Sequence, residues 1–229
     1  MRPKYVTCLV VFHSGFWRLN LFQASGISHV IYPTHPSVFN ATGGLVNIRL
    51  FEAQYQVQCL IRSSPIPSTI LGRGASLKAL HGPQYSHQEG DTIVLSTPAA
   101  PYKKMSWFDP SHDIGWFARS AFDKGPEWKK NEIVPVCGQN IPYAELASQI
   151  TAVMGVKAKY QQCEVKEFAE RVVDGEMSVR DMEALGHWLS IAPDDKICFG
   201  TIESGKLINV QQDLDLRALT WEEYLEKRR

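Results

Sequence analysis

The chain has 229 residues, of which 44% are hydrophobic, and its 24 basic and 24 acidic side chains give a formal net charge of zero. A polypeptide of this length forms one domain, or one domain with a small lobe, and can fold without a disulfide or metal staple. The balanced charge argues against a nucleic-acid-binding face, and the ordinary charged fraction of 21% argues against extensive disorder.

Cysteine usage favours a reducing compartment. The five cysteines are odd in number and show no C-x-x-C spacing, which is typical of free thiols. They are Cys8, Cys59, Cys137, Cys163 and Cys198. No paired Cys or His spacing indicates zinc, so no metal is expected. The longest apolar stretch, Cys8–Phe12, is far too short to span a membrane and is not followed by a cleavage pattern. We therefore expect a cytoplasmic protein with no membrane partner.

The predicted strands and helices alternate along the chain. Short segments rich in β-branched residues predict strands at Thr7–Phe12, His29–Thr34, Ser68–Leu71, Thr92–Leu95 and Glu132–Val136. Helical periodicity predicts helices at Leu45–Arg62, Asp113–Phe122, Pro142–Met154, Val165–Val173 and Val179–Leu189. Asn140 is a candidate cap for the third helix and Ser178 for the last. Alternation of this kind indicates an α/β fold with a mostly parallel sheet.

The pattern changes near Gly125, and this change suggests two parts. Residues 1–124 carry most of the predicted strands and form the sheet domain. Residues 125–229 predict a mainly helical lobe on the substrate side, with a C-terminal tail at Asp213–Arg229. The turn-rich segment Gly72–Gly90 has the length and composition of a mobile loop, and loops of that length are often functional.

Six segments, taken in order, resemble the NmrA-like family of atypical short-chain dehydrogenases. Ser25–Tyr32 is similar to the family stretch A-G-V-K-H-F-I-Y, and Phe51–Gln58 to the helix F-x-x-K-x-x-V-E that follows it. The remaining matches are Pro65–Leu71 to L-P-Y-T-I-L-R, His112–Ala118 to V-x-D-I-G-x-F-V-A, Ile141–Ala147 to T-x-x-E-I-A, and Leu219–Leu225 to T-W-E-E-F-L. Each motif is weak alone, but their order and spacing extend over most of the chain.

The opening of the family pattern has no counterpart in the sequence. Family members begin with a strand, the turn G-x-x-G-x-x-G and a helix, whose glycines let the backbone approach a dinucleotide pyrophosphate. The nearest sequence is Gly72-Arg73-Gly74, where Leu77 replaces the next glycine. The resemblance thus implies an N-terminally truncated, partial Rossmann-like domain over residues 1–124. It also implies NADP as cofactor, although the missing glycines oppose its binding.

The resemblance places candidate site residues at the end of the His29–Thr34 strand. Tyr32, Pro33 and Thr34 are expected on the nicotinamide side of the cofactor, and Gln54 stands where related reductases have a lysine. Glutamine can form hydrogen bonds but carries no charge. Leu50 occupies the position of the tyrosine acid in other short-chain dehydrogenases and cannot transfer a proton. His35, by its location, and Thr34, which matches a serine of the relatives, are the candidate catalytic residues.

Aromatic residues suggest a substrate wall. Trp107, Phe108 and Trp116 are expected to form an aromatic cluster, which either packs in the core or lines an apolar substrate pocket. Further acid–base candidates, on the presumed loop, are His81, Tyr85 and His87.

Three functions follow from this pattern. The first is an NmrA-type NAD(P)-dependent oxidoreductase acting on a small organic substrate, in a biosynthetic pathway such as secondary metabolism. The second is a non-redox cyclase or isomerase, or a metabolite-binding protein, that has lost the cofactor half. The third is an NmrA-like regulatory or interaction protein. A truncated sheet would expose an edge strand, so a homodimer is also expected.

Overall fold

The computed structural model describes residues 26–171, 177–194, 196–197, 202–203 and 205–229. The predicted strand Thr7–Phe12 lies outside these residues. The strands are β1 Val30–Thr34, β2 Ser68–Arg73, β3 Ala75–Ser76, β4 Ser86–Glu89, β5 Thr92–Thr97, β6 Lys104–Phe108, β7 Ile133–Val136, β8 Gln139–Pro142, β9 Lys157–Gln162, β10 Lys196–Ile197 and β11 Ile202–Glu203. The helices are α1 Val38–Ala41, α2 Arg49–Ser63, α3 Asp113–Lys124, α4 Tyr143–Met154, α5 Val165–Glu170, α6 Val179–Ile191, α7 Gly205–Leu214 and α8 Trp221–Glu226, with a 3₁₀ helix at Leu77–His81.

A parallel three-stranded sheet, in the order β1-β2-β7, has helices on both faces. Successive side chains of a strand point to opposite faces. Tyr32 and Ile70 therefore pack with Ile61 of α2 on one face. Leu71 packs with Phe117 of α3 on the other. Burial on both faces is typical of a central strand of a parallel sheet, and Ser68 to Gly72 of β2 are all buried. The partial Rossmann-like, mostly parallel α/β fold predicted from the sequence is confirmed.

Two further three-stranded sheets extend the molecule. In the order β3-β6-β8, β6 pairs in parallel with β3 and antiparallel with β8. In the order β4-β5-β9, β5 pairs antiparallel with β4 and in parallel with β9. The largest apolar core lies between these sheets and helices α4, α5, α6 and α8, and includes Trp107, Leu146, Phe168 and Trp221. This core connects the strand-rich and helix-rich regions.

The predicted boundary at residue 125 falls just before β7, and the division into two domains stays a prediction. β7 follows Gly125 and belongs to the central sheet, where it pairs with β2. Residues beyond 125 supply the predicted helices α4, α5 and α6, but they also form strands β7 to β11. The pattern of β9 is hard to recognise because its sequence, KAKYQQ, is polar and mostly exposed.

Three local predictions can be compared directly. The predicted cap Asn140 lies within β8, and α4 begins after Pro142 without a side-chain cap. Ser178 caps α6 as predicted, and its side chain accepts a hydrogen bond from the Asp181 N–H. Gly72–Gly90 is not a bare loop, since it contains the end of β2, all of β3, the 3₁₀ helix and all of β4.

The predicted tail contains a docked helix. Thr220 and Glu223 form a capping box at the start of α8, in which each side chain binds the other residue's backbone N–H. The indole of Trp221 is buried and donates a hydrogen bond of 3.0 Å to the Leu146 carbonyl. The chain can approach this closely because residue 138 is glycine: a Cβ there would lie 1.9 Å from the Leu219 carbonyl oxygen. No helix in the described part of the chain is long and apolar enough to cross a membrane.

Candidate functional site

A cleft of about 760 Å³ lies at the carboxyl ends of β1 and β2. His35 follows β1 directly, Arg73 is the last residue of β2, and both line the cleft. The 3₁₀ helix contributes His81, and α6 contributes Met182 and Leu185. Open parallel sheets bind ligands outside the carboxyl ends of their strands. A second cavity, of about 580 Å³, lies along β7 and contains none of the predicted site residues.

Gln54 links the elements that meet at the cleft. Its Oε1 accepts a hydrogen bond of 3.0 Å from Nη2 of Arg73 and one of 3.2 Å from the backbone N–H of His35. α2 thus holds the ends of both β1 and β2 through one neutral amide. The His35 ring stacks on Phe51 of the same helix, with ring centres 4.1 Å apart.

Burial and charge determine which groups can act in the cleft. Burial, and then the neighbouring charge of Arg73, hold the pKa of His35 well below its ordinary value. The imidazole is therefore neutral near pH 7 and can donate or accept a hydrogen bond without a charge. Burial also lowers the pKa of Arg73. An arginine nevertheless keeps its charge at any ordinary pH, so Arg73 is the fixed cation at the sheet edge.

The structure brings the predicted cofactor-binding residues together but uses their hydroxyls internally. Tyr32 is buried and donates a hydrogen bond of 3.4 Å to the backbone carbonyl of Gln54. Thr34 is also buried, and its hydroxyl donates to the His35 carbonyl at 2.9 Å. Pro33 lies between them at the strand end. None of the three is among the described residues that line the cleft, although His35 follows them directly, and their contact with a cofactor stays a prediction.

The candidate acid–base residues divide into two groups. His35, His81 and Tyr85 line the cleft. His87 is remote from it, on the exposed strand β4, where its Nε2 lies 3.3 Å from an oxygen of Glu89. The Thr34 hydroxyl donates its one O–H to the His35 carbonyl, so in this arrangement it can act towards a ligand only as an acceptor.

The expected cluster of three aromatic residues does not form. Trp107 and Phe108 are neighbours on β6 and point to opposite faces, so Trp107 packs edge-on against Tyr143 in the large core. Phe108 lines the cleft, and its contact with substrate stays a prediction. Trp116 is 53% exposed on α3, away from the cleft lining. Nearness in sequence misled the prediction because strand and helix geometry separates these side chains.

Sequence reasoning missed Arg73. It treated Gly72-Arg73-Gly74 only as an incomplete dinucleotide motif. The available signal was a charged residue at the end of an otherwise uncharged strand, which is the position where α/β sheets carry ligand-binding groups.

A nicotinamide dinucleotide needs a cradle for its diphosphate, and the described residues do not provide one. Glycines in such a cradle leave space for the ligand beside the backbone. At Gly72 that space is filled, since a Cβ would lie 2.7 Å from Cγ2 of Ile133. At Gly74 a Cβ would lie 2.5 Å from the Ser106 carbonyl oxygen. These glycines permit close packing of β2, and the described part of the chain does not fit the diphosphate.

Comparison with solved structures supports a dinucleotide-binding type of fold. NmrA, a negative transcriptional regulator solved in complex with NADP, superposes with a TM-score of 0.70 at 18% identity, over 90% of this chain and 65% of that one. The NADPH-dependent quinone oxidoreductase QOR2 of Escherichia coli, complexed with NADPH, gives a TM-score of 0.64 at 16% identity, over 92% and 69% of the two chains. Isoflavone reductase gives 0.60 at 16% identity, over 90% and 67%. The chain thus spans about 65% of the length of NmrA.

Sequence comparison identifies the family directly. No curated protein sequence was found to match the chain. The sequence profile of the NmrA-like family matches residues 21–225, which is most of the polypeptide. Together with the parallel sheet and the strand-end cleft, this match shows that the chain belongs to the NmrA-like family.

Proposed function

We propose that the cleft is the substrate pocket of an NmrA-type oxidoreductase acting on a small organic molecule, in a biosynthetic pathway such as secondary metabolism. The observation that supports this proposal is the position of Arg73, a partly buried cation at the carboxyl edge of the sheet. Apolar side chains form much of the surrounding wall, including Leu50, Phe51 and Phe108. Such a pocket suits a molecule with an apolar body and one polar oxygen.

The chain's own residues have distinct roles in this proposal. Arg73 binds a polar oxygen of the substrate by charge-assisted hydrogen bonds and so orients the molecule in the cleft. Gln54 positions the guanidinium through the 3.0 Å hydrogen bond. His35 is neutral and serves as a hydrogen-bonding group, while Leu50 and Phe51 exclude water. We assign proton donation to His81 or Tyr85, two further titratable side chains that line the cleft.

A nicotinamide dinucleotide, NADP by the sequence resemblance, would supply the hydride in a reaction of this class. Tyr32, Pro33 and Thr34 build the strand end that the family uses for the nicotinamide side. Because the described residues hold no diphosphate cradle, the contribution we assign to them is the binding and orientation of the substrate.

A reductase assay tests the proposal. Purified protein is incubated with excess NADPH, or NADH in parallel, and a panel of quinones and α,β-unsaturated ketones, while cofactor absorbance is followed. We expect oxidation of NADPH that depends on one class of acceptor and is lost in Arg73→Met. Replacement of the exposed Arg62 on α2 by Met is the matched control and should retain the rate. Absence of acceptor-dependent oxidation across the panel would refute the oxidoreductase function.

Two positions favour a second candidate, metabolite binding without redox chemistry. Gln54 is uncharged where related reductases carry lysine, and Leu50 lines the cleft where others place a tyrosine acid. In this alternative the protein binds a small molecule, and the bound form then interacts with a partner protein. A further version is that the protein isomerises or cyclises the small molecule without a cofactor. The same ligands would then bind in calorimetry while NADPH remains unconsumed.

A further inference from the structure

We infer that the ligand of the cleft is an organic carboxylate with an apolar body, and that Arg73 binds its carboxylate group. This inference rests on the proposed pocket function and specifies the class of substrate. It follows from the hydrogen bonding of Arg73, the charges around the cleft and the nature of its walls.

Several N–H groups of the Arg73 guanidinium have no acceptor among the described residues. A guanidinium carries five N–H groups, and among the described residues the one hydrogen bond of the Arg73 side chain goes to the neutral amide oxygen of Gln54. Its Nε is buried and has no acceptor among the described residues. No acidic side chain in the described part of the chain forms an ion pair with it. A desolvated charge is normally paired, so a bound anion would complete this environment.

The charges around the cleft have one sign. Lys78 lines it together with Arg73, and His35 and His81 are its titratable rings. None of the described residues that line the cleft is acidic. Among the described residues, four acids adjoin lining residues in sequence: Glu52, Asp109, Asp181 and Glu183. Glu52 accepts from the Ser37 hydroxyl at 2.7 Å, Asp109 from the Ser111 N–H at 2.9 Å, and Asp181 pairs with Arg49 at 3.2 Å, while Glu183 is exposed. The charged side chains that line the cleft are therefore cationic, which favours an anionic ligand.

The walls select an amphiphilic anion over an inorganic one. Leu50 and Phe51 come from α2, Phe108 from β6, and Met182 and Leu185 from α6. The volume of about 760 Å³ far exceeds what a phosphate ion fills and lies within the range of small-molecule sites. A carboxylate also matches the planar fork of a guanidinium, which can donate two parallel hydrogen bonds to it.

Calorimetric titration of two matched probes tests the inference. 4-Phenylbutyrate carries the carboxylate, and 4-phenylbutyramide is its neutral counterpart of nearly the same shape. We expect the wild-type protein to bind the carboxylate about tenfold more tightly, as a charge-assisted pair implies. Arg73→Met should remove this preference while leaving amide binding within about twofold. Arg62→Met, the exposed control on α2, should keep the full preference.

Arg73→Lys is a second variant, which separates the loss of the charge from a loss of folding. Lysine keeps the charge but not the fork, so this variant should keep a reduced preference for the carboxylate, and thermal unfolding verifies that each variant is folded. Equal binding of the two probes by the wild type, or an unchanged preference in folded Arg73→Met, would overturn the inference. Tight Arg73-dependent binding of inorganic phosphate without binding of phenylbutyrate would overturn it as well.

The two proposals fail in different ways. Reduction of neutral ketones with no carboxylate preference would leave the oxidoreductase function and reject the carboxylate. A carboxylate preference that depends on Arg73, with no consumption of NADPH, would support the inference and reject the oxidoreductase.

Discussion

Gln58 is a residue whose polarity the described structure does not use. It lies on α2, fully buried, and neither its Oε1 nor its Nε2 has a hydrogen-bond partner among the described residues. Gln58→Met keeps a similar volume and removes the unpaired amide, so we expect the free energy of unfolding to rise by about 1 kcal/mol. Urea denaturation measures the change. Gln56→Met, at an exposed position of the same helix, should have almost no effect, and a destabilised Gln58→Met would show that the amide is needed.

Gln54→Lys restores the charge that related reductases carry at this position. It should nevertheless fail to produce submicromolar NADPH binding, because the described residues offer no diphosphate cradle. The new ammonium would also replace the amide oxygen that accepts from Arg73 at 3.0 Å, placing two cations together. Calorimetry with NADPH and urea denaturation measure both effects. Submicromolar affinity in this variant would contradict our interpretation of the fold.

His35 gives the protein a pH-dependent stability. Its pKa is lowered by burial, so the unfolded chain binds more protons than the native protein at pH values just below the ordinary value of 6.5. The contribution of neutral His35 to the free energy of unfolding is therefore complete above pH 6.5 and is lost as the pH falls below that value. Urea titrations at pH 7.5 and pH 5.5 should show a larger loss for wild type than for His35→Asn. Equal losses would mean that His35 is not buried as a neutral ring.

At the scale of elements, the carboxylate of Asp181 forms hydrogen bonds at the N-termini of two helices, α2 and α6. Asp181 lies in the first turn of α6, and its Oδ1 accepts the backbone N–H of Arg49, the first residue of α2, at 3.0 Å. Ile48, at the N-cap of α2, cannot cap that helix with its own side chain. Burial opposes the charge of Asp181, but hydrogen bonds from Ser178 and Arg49 hold its pKa below the ordinary value.

Asp181→Ala should therefore weaken both helix starts. We expect a loss of about 2–3 kcal/mol in the free energy of unfolding, since one cap and a buried charged hydrogen bond disappear. Glu183→Ala, at an exposed position on α6, is the matched control and should change stability by less than about 0.5 kcal/mol. Similar values for both variants would show that the link between α2 and α6 is unimportant.

At the scale of the whole molecule, Gly138 allows the C-terminal segment to dock. Gly138→Ala would place a methyl group 1.9 Å from the Leu219 carbonyl oxygen. The segment that carries α8 must then move away, at a cost of about 2 kcal/mol or more. Urea denaturation and the fluorescence of buried Trp221 report this movement. Gly115→Ala, where nothing lies within 4 Å, should instead stabilise α3 by about 0.5–1 kcal/mol. An unchanged Gly138→Ala would show that docking tolerates the methyl group.

Two results follow from the amino-acid sequence alone: the strands and helices whose apolar residues recur at regular intervals, and the family to which the chain belongs. β1, β2, β5 and β7 were predictable because buried strands concentrate β-branched residues, and α3, α4 and α6 because their apolar residues recur at helical intervals. The sheet edge that carries His35 also followed from the sequence, since the ends of parallel strands form ligand sites.

Which side chains contact one another at that edge is visible only in the folded protein. Arg73 and Gln54 are 19 residues apart, and their contact depends on how α2 crosses from β1 to β2. The separation of Trp107, Phe108 and Trp116 likewise depends on the faces that β6 and α3 present to their neighbours. Periodicity along a chain specifies which residues share a face of one element, whereas contacts between elements depend on packing that no local pattern records.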